Sequence, residues 1–335
     1  QGGAFTQENF EANGDGNFDI VAVSNLGFEN EQILLNSIEL NNYDASQFGG
    51  PASVNVAAVG FTSVDPTAFD DAQSVLVTDG TVDVSGASLI QNISGYVDGS
   101  SSYDIVDSAS SIVAASTSIL DNAGVQDVSA DTAATAGEGV TLDSLSKQVT
   151  FDVEDSAGNV AHELDTNGNT SLDEAVSVTV TGGTVDASDA AAIQGISGYV
   201  DGTASSYDIV DSASAIVGAT DAILNTGGVA TVTVSGVATA AQGGDIDAFS
   251  KDVAFNVVDD AQDVIDEMTA HSEIASAQSI TVSGVANAAQ GVTIDGFTKE
   301  VVFDVDSSAD ALATAIGGDS TLLDEAGSVT VTGGT

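Results

Sequence analysis

The sequence predicts an α/β fold made of tandem repeats of about 50 residues, each with the order strand, helix, strand, helix. Three observations predict it: an aromatic segment recurs, a β-branched segment recurs, and the hydrophobic period switches between two and about 3.6 residues. The aromatic segment begins at Tyr103, Phe151, Tyr207, Phe255 and Phe303. Its spacings of 48, 56, 48 and 48 residues are too regular for chance.

The β-branched segment opens each repeat. Valine or isoleucine alternates with threonine or serine from Val178, Val232, Ile280 and Val329, with weaker versions at Val75 and Val128. Alternation of β-branched residues is typical of a strand. The aromatic segment, with Val253, Phe255 and Val257 in one repeat, predicts the second strand.

Each strand is followed by a segment with helical spacing. Residues 238–249 are rich in alanine, with apolar residues at helical intervals. Residues 306–318 place Ala309, Leu312, Ala313 and Ile316 on one face and end in two glycines, and residues 211–228 are similar. An Asp before each second helix is suited to be its N-cap (Asp107, Asp155, Asp211, Asp260 and Asp306).

Alternating strands and helices favour parallel strands with right-handed crossovers, which would stack in series as an α/β solenoid. The alternative is a string of small β-sandwich modules, in which the helical segments would be loops.

The repeats divide the chain into seven parts. Residues 1–72 hold seven of the twelve phenylalanines and predict a separate, mostly β N-terminal domain, with strands at residues 18–23, 32–40 and 53–61. The other parts are five repeats and the opening strand of a sixth, which is either truncated or donated to a neighbouring molecule (73–126, 127–176, 177–229, 230–277, 278–327 and 328–335).

The composition restricts the partners of the chain. Fifty-one Asp and Glu against three Lys or Arg give a formal net charge of −48. Such a chain repels nucleic acid and anionic membranes, and high salt or divalent cations relieve its self-repulsion. Cysteine is absent, and no apolar stretch reaches a membrane-spanning length. Because the chain begins at Gln1, we expect a processed or partial chain located outside a microbial cell.

The three lysines of the chain occupy one position of the repeat. Lys147, Lys251 and Lys299 each follow Ser or Thr just before the second strand. We expect each of them to pair with an Asp on an adjacent element. An exposed pair of this kind contributes only about 0–1 kcal/mol.

Two segments have the spacing of calcium-binding loops. Oxygen-bearing side chains occupy alternate positions at Asn13, Asp15, Asn17 and Asp19, where glycines allow a tight turn, and again over residues 165–174. The second set is Asp165, Asn167, Asn169, Ser171, Asp173 and Glu174. Calcium takes six to eight oxygen ligands at about 2.3–2.6 Å, and such a loop supplies several. Both loops lack the bidentate Glu of a full EF-hand loop, so two solvated turns are the alternative.

The sequence offers little for catalysis. The two histidines, His162 and His271, are expected at the surface, and no pattern typical of a hydrolase, metalloprotease or phosphate-binding loop occurs. We therefore expect no enzyme.

The combined pattern of V-T-V-S/T-G, A-A-Q-G, I-D-x-F and F-x-V-x-D-S-A resembles the tandem repeats of very large surface and secreted proteins of aquatic bacteria. The resemblance covers residues 75–335 and implies a surface-layer, adhesin or extracellular-fibre protein. We accordingly expect a structural subunit that associates with copies of itself into a fibre or a surface layer. The alternatives are a calcium-dependent adhesin stalk that binds a glycan or a surface protein, with Tyr96 and Tyr199 as recurring aromatics, and a virus-particle fibre.

Overall fold

The computed structural model describes most of the chain from residue 74 onward and four strands before it. The described residues are 10–12, 18–20, 32–35, 53–58, 69, 72, 74–271, 274–319 and 321–333.

Strands and helices alternate along the chain, as predicted. The strands are β1 Phe10–Ala12, β2 Phe18–Ile20, β3 Gln32–Leu35, β4 Ser53–Ala57, β5 Ser74–Asp79, β6 Thr81–Val82, β7 Tyr103–Asp107, β8 Val125–Ala130, β9 Val149–Thr150, β10 Asp152–Asp155, β11 Ser177–Val185, β12 Ser206–Asp211, β13 Val229–Val234, β14 Val253–Ala254, β15 Asn256–Asp259, β16 Ser279–Val282, β17 Val301–Val302, β18 Asp304–Ser307 and β19 Ser328–Val331.

The helices are short, and most have eight residues or fewer. They are α1 Val84–Gln91, α2 Ala109–Ala114, α3 Thr117–Leu120, α4 Ala136–Asp143, α5 Ala157–Asn167, α6 Ala187–Gln194, α7 Ala213–Gly218, α8 Asp221–Leu224, α9 Ala240–Asp247, α10 Ala261–Ala270, α11 Ala288–Asp295 and α12 Ala309–Ile316.

The chain folds as two compact units. The first contains residues 1–154 and 170–178, and the second contains residues 155–169 and 179–335. In the first unit β1 and β2 pair antiparallel, whereas β3-β4-β5 and β6-β7-β8-β9 form parallel sheets in chain order. In the second unit β11-β12-β13-β14, β15-β16-β17 and β18-β19 are likewise parallel and in chain order. The fold is therefore a mixed α/β fold with parallel sheets, and the β-sandwich alternative is wrong.

In the parallel sheets, paired strands follow one another along the chain, and we call one such strand with the helical segment that follows it a coil. The offset between paired residues ranges from 21 residues, between Val128 and Val149, to 25 residues, between Thr181 and Ser206. Each predicted repeat of about 50 residues thus contains two coils.

The core consists of inward valines, isoleucines and alanines with one aromatic residue in every second coil. Phe151, Phe255 and Phe303 are at most 2% exposed and interrupt their strands, so that β9 and β10, β14 and β15, and β17 and β18 are separate segments. Tyr103 and Tyr207 are equally buried at the start of β7 and β12.

The N-caps differ from the prediction. Asp260 caps α10, as expected, but α2, α5, α7 and α12 are capped by the serine in front of them (Ser108, Ser156, Ser212 and Ser308). A serine hydroxyl directly before the first helical residue reaches the third amide of the helix, whereas a strand-end Asp lies one or two residues too early.

One predicted helical segment is divided. Residues 211–228 contain α7 and α8, because Ala219 has an extended backbone and Thr220 begins a new helix with its own side-chain cap. The helix over residues 306–318 is confirmed as α12, and Gly317 ends it in the left-handed conformation at φ 57°. The alanine-rich helix is confirmed as α9.

The strands predicted in the N-terminal region are present in their first residues as β2, β3 and β4. Ser53 of β4 pairs in parallel with Ser74 of β5, the opening strand of the first repeat. One sheet therefore includes strands from both sides of residue 72.

Candidate assembly surface

Asp side chains connect successive coils within each unit. Asp107, Asp211 and Asp259 end their strands, and one carboxylate oxygen of each accepts the first amide of the helix in the preceding coil. The donors are Val84 at 3.1 Å, Ala187 at 3.1 Å and Ala240 at 2.9 Å. The other oxygen accepts the amide of the next residue in the chain. One carboxylate thus satisfies donors on two coils that would otherwise lack a partner.

Two further sets of Asp make the same kind of connection. On the outward face of the sheet, Asp152 accepts the Ser177 hydroxyl and Asp304 accepts the Ser328 hydroxyl, both at 2.6 Å. At helix ends, a carboxylate oxygen accepts an amide from the next coil (Glu174 to Asp143 at 3.0 Å, Ser276 to Asp247 at 2.8 Å, and Glu325 to Asp295 at 3.1 Å). Asp side chains at three positions of the repeat therefore act as hydrogen-bond acceptors between coils.

The lysines also connect coils, and among the described residues Lys147 and Lys251 do so through main-chain carbonyls and not through the predicted Asp. Lys147 Nζ donates to the carbonyl of Val125 at 2.7 Å, and Lys251 Nζ donates to the carbonyl of Val229 at 2.6 Å. Lys299 Nζ donates to the carbonyl of Ala277. Each acceptor lies at or just before the start of the preceding strand, where a main-chain carbonyl needs a donor.

The other residues singled out by the sequence lie in ordinary environments. His162 and His271 are exposed, as expected, and His271 Nδ1 contacts Glu267 Oε1. Tyr96 is half-buried and its hydroxyl donates to Asn122 Oδ1 at 3.0 Å. Burial raises the pKa of Tyr96 and of Tyr199 well above the usual range. Both tyrosine side chains therefore contribute to packing more than to an exposed aromatic surface that could bind a glycan.

The first predicted calcium loop is mostly outside the described residues. Three of its four residues, Asn13, Asp15 and Asn17, lie outside them. Asp19 lies in β2, where it pairs with Glu11 of β1.

The second predicted calcium loop begins on a helix. Asp165 and Asn167 belong to the last turn of α5, and Asn167 Nδ2 donates to Glu163 at 2.7 Å. Side chains two residues apart on a helix point in nearly opposite directions. The prediction instead assumed a tight turn that brings these side chains together. Asn169 is exposed and belongs to the second unit, while Ser171, Asp173 and Glu174 belong to the first. Calcium binding by these six residues stays a prediction.

A different acidic cluster was not predicted. The cluster consists of Asp259, Asp260 and Asp263. Each contributes one carboxylate oxygen, and the three oxygens lie within 4.8 Å of one another. The charge of Asp260, followed by that of Asp259, raises the pKa of Asp263 above its ordinary value. The three residues join the end of β15 to the start of α10, and in the sequence they are indistinguishable from many other Asp pairs.

The last described coil exposes valines whose counterparts in β11 and β16 are buried. Val329 and Val331 of β19 are 42% and 52% exposed. Their counterparts Val178 and Val180 are fully buried, and Ile280 and Val282 are 1% and 6% exposed. Within the part of the chain that the structure describes, β19 pairs only with β18, so one edge of β19 has no strand beside it.

The helix beside this strand is also less buried than its counterpart. None of the residues of α12 is buried, although Leu312 and Ile316 correspond to Val160 and Leu164 of α5, which are 0% and 2% exposed. Leu323 is half-buried, whereas its counterpart Leu172 is fully buried. We call the exposed residues of α12, residues 321–327 and β19 the end surface.

Compared with known proteins, the chain matches no family model, no curated protein and no solved structure. Among the described residues, no helix is long and apolar enough to cross a lipid bilayer.

Proposed function

We propose that the chain is a structural subunit that associates with copies of itself, in an extracellular fibre or surface layer. The observation that carries the proposal is the repetition of the coils, which present the same strand pairing and the same Asp and Lys hydrogen-bonding groups at successive steps within each unit. Apolar side chains between stacked coils contribute about 1.5–3 kcal/mol each when they become fully buried. A strand edge without a partner also offers main-chain groups to another strand.

We further propose that the coils continue as an α/β solenoid. In support, neighbouring coils within each unit are connected by parallel strand pairs and by the same Asp and Lys hydrogen bonds. Stacked coils contact only their neighbours, so the two ends of such a stack are the places where growth by addition occurs. An extracellular location agrees with the net charge of −48, because salt or divalent cations outside the cell would reduce the self-repulsion of the chain.

The proposal is tested by negative-stain electron microscopy of the purified chain and of a variant that lacks residues 328–335. We expect filaments or sheets from the full chain and single particles from the shortened one, with unchanged circular dichroism. Single particles from both chains would contradict self-assembly. Regular assemblies from both would show that the end surface is not the contact.

Calcium is a separate part of the proposal. We propose that calcium stabilises the assembly, through the loops predicted at residues 13–19 and 165–174 or through the cluster of Asp259, Asp260 and Asp263. The test is the unfolding temperature in millimolar calcium and in excess chelator, for the chain and for Asp263→Asn and Asp15→Asn variants. We expect calcium to raise the unfolding temperature of the chain, and the variant that loses this rise identifies the site. No difference between calcium and chelator would refute a calcium role.

A further inference from the structure

We propose that an open cavity on the outer face of the sheet in the second unit binds a neutral glycan. The cavity has a volume of about 660 Å³ and is lined by residues 230–233, 250–254, 276 and 278, all of which belong to the second unit. We call this cavity the notch. Its volume lies within the range of about 300–1,000 Å³ that is typical of sites for small ligands. The inference goes beyond the proposed function and does not depend on self-association.

Two alanines make room for the notch. Ala254 is the second residue of β14, where β9 has Thr150 and β17 has Val302. The three strands pair with the strand before them in the same register, so these positions are equivalent. Ala230 is the second residue of β13, where β8 has Gln126. A larger side chain at either alanine would occupy part of the cavity.

Three polar side chains of the notch make no hydrogen bond with any described residue. They are Thr233, which is half-buried, and Asp252 and Gln278, which are exposed. In contrast, the Thr231 hydroxyl on the same face donates to Asp208 Oδ1 at 2.5 Å. The three free side chains supply a hydroxyl, a carboxylate and a primary amide. They therefore suit a ligand whose own groups both donate and accept hydrogen bonds.

Charge narrows the class of ligand further. The net charge of −48 opposes the binding of an anion. Calcium takes six to eight oxygen ligands, whereas Asp252 is the one carboxylate among the lining residues and Lys251 is next to it. Lys251 Nζ is held in place by the carbonyl of Val229 at 2.6 Å. A neutral ligand remains, and a sugar fits because each of its hydroxyl groups can donate and accept.

The test is saturation-transfer difference NMR of the full chain with neutral tetrasaccharides of glucose, mannose, galactose and N-acetylglucosamine. A tetrasaccharide of galacturonic acid is the anionic comparison. Ala254→Val fills the notch with the residue that β17 has at this position, so the fold should be kept. Thr150→Val is the matched control, because it places valine at the same position of β9, outside the notch. Gln278→Ala removes one of the free polar groups.

We expect at least one neutral tetrasaccharide to bind the parent chain and Thr150→Val equally and not to bind Ala254→Val. Gln278→Ala should weaken binding by about tenfold, as the loss of one hydrogen bond does.

Binding of none of the neutral sugars, or of the galacturonic acid sugar alone, would overturn the inference. Equal binding by the parent chain and by folded Ala254→Val would place the sugar elsewhere and overturn it as well. If Ala254→Val does not fold, Gln278→Ala decides, and an unchanged affinity of that variant counts against the notch. Each of these results leaves the proposed self-association intact, because electron microscopy tests it separately.

Discussion

The two carboxylate oxygens of Asp211 bind donors on two different coils. One accepts the amide of Ala187 at 3.1 Å and the other accepts the amide of Ser212 at 2.7 Å. Sequence reasoning recognised that an Asp recurs at this position but assigned it as the N-cap of its own helix. The spacing along the chain could not show the contact with Ala187, because it depends on the 24 residues between them forming one coil.

Replacing Asp211 by alanine should destabilise the second unit by about 1–2 kcal/mol, because the Ala187 amide loses its acceptor. Asp211→Asn should cost less, since one oxygen acceptor remains. Urea unfolding gives the stability, and hydrogen exchange of residues 185–194 gives the local effect.

The control for this prediction is Asp252→Ala, which removes the same charge from an exposed side chain. We expect it to leave both readouts nearly unchanged or to stabilise slightly through lower net charge. Equal losses in the two variants would mean that charge, rather than the hydrogen bond, determines the effect.

The hydrogen bonds that Asp221 accepts from Ser250 depend on pH. The Ser250 hydroxyl, and after it the Ser250 amide, hold the pKa of Asp221 below its ordinary value of 3.8. A carboxyl with a lowered pKa in the folded state stabilises that state above the ordinary pKa, and this contribution is lost as the pH falls through the folded pKa. Ser250→Ala should therefore raise the pKa of Asp221 toward 3.8, which an NMR titration measures.

The stability difference between the parent chain and Ser250→Ala should be constant near neutral pH and shrink below the folded pKa of Asp221. A difference that stays the same down to the most acidic pH at which the chain folds would show that the bond to Asp221 is not its cause.

At the scale of elements, glycines in helices have opposite roles. A Cβ at Gly243 of α9 would lie 2.8 Å from Val257 Cγ2 and 3.4 Å from Ile274 Cγ2, whereas a Cβ at Gly158 of α5 would meet no atom within 4 Å. Gly243 therefore allows α9 to approach the sheet closely, and Gly158 has no such role.

Gly243→Ala should destabilise the chain by about 1–3 kcal/mol through overpacking, despite the better helix propensity of alanine. Gly158→Ala is the matched variant and should stabilise by up to about 1 kcal/mol. Thermal unfolding of both variants measures the difference. Stabilisation by both substitutions would contradict the close packing of α9.

The elements were predicted best where the hydrophobic period was clear. The strands that begin at Val178, Val232 and Ile280 lie within β11, β13 and β16, and the glycine stop at Gly317 is confirmed. The division of α7 from α8 was missed, because Ala219 and Thr220 are compatible with a helix and the break depends on the packing of Leu224. The pairing of β4 with β5 was missed because residues 53–57 resemble no repeat.

At the scale of the whole molecule, the net charge opposes the compact state through self-repulsion. Since the chain carries 51 acidic and three basic residues, sodium chloride should raise its unfolding temperature over the range from about 10 mM to about 1 M by shortening the Debye length from about 30 Å to about 3 Å. Differential scanning calorimetry measures the trend, and sucrose controls for effects without charge screening. A temperature that is independent of salt would mean that bound cations or the carboxylate hydrogen bonds already offset the repulsion.

The end surface was predicted only in part. The strand at residues 328–331 was visible in the sequence as a further copy of the β-branched segment that opens each repeat. The uncovered α12 was not, because residues 309–316 have the same apolar pattern as the buried helices and only the structure shows that none of them is buried. The residues predicted to bind calcium do not belong to the end surface, and calcium binding by them stays a prediction.

The most direct test of the account is sedimentation velocity of the chain, Val331→Lys and Val285→Lys at moderate and high salt. Both substitutions add one positive charge at an exposed valine, Val331 on the end surface at 52% exposure and Val285 on a turn at 60%. The account predicts that the parent chain and Val285→Lys associate, while Val331→Lys remains monomeric. If Val331→Lys associates as well as the other two, or if all three are monomers, the end surface is not an assembly contact.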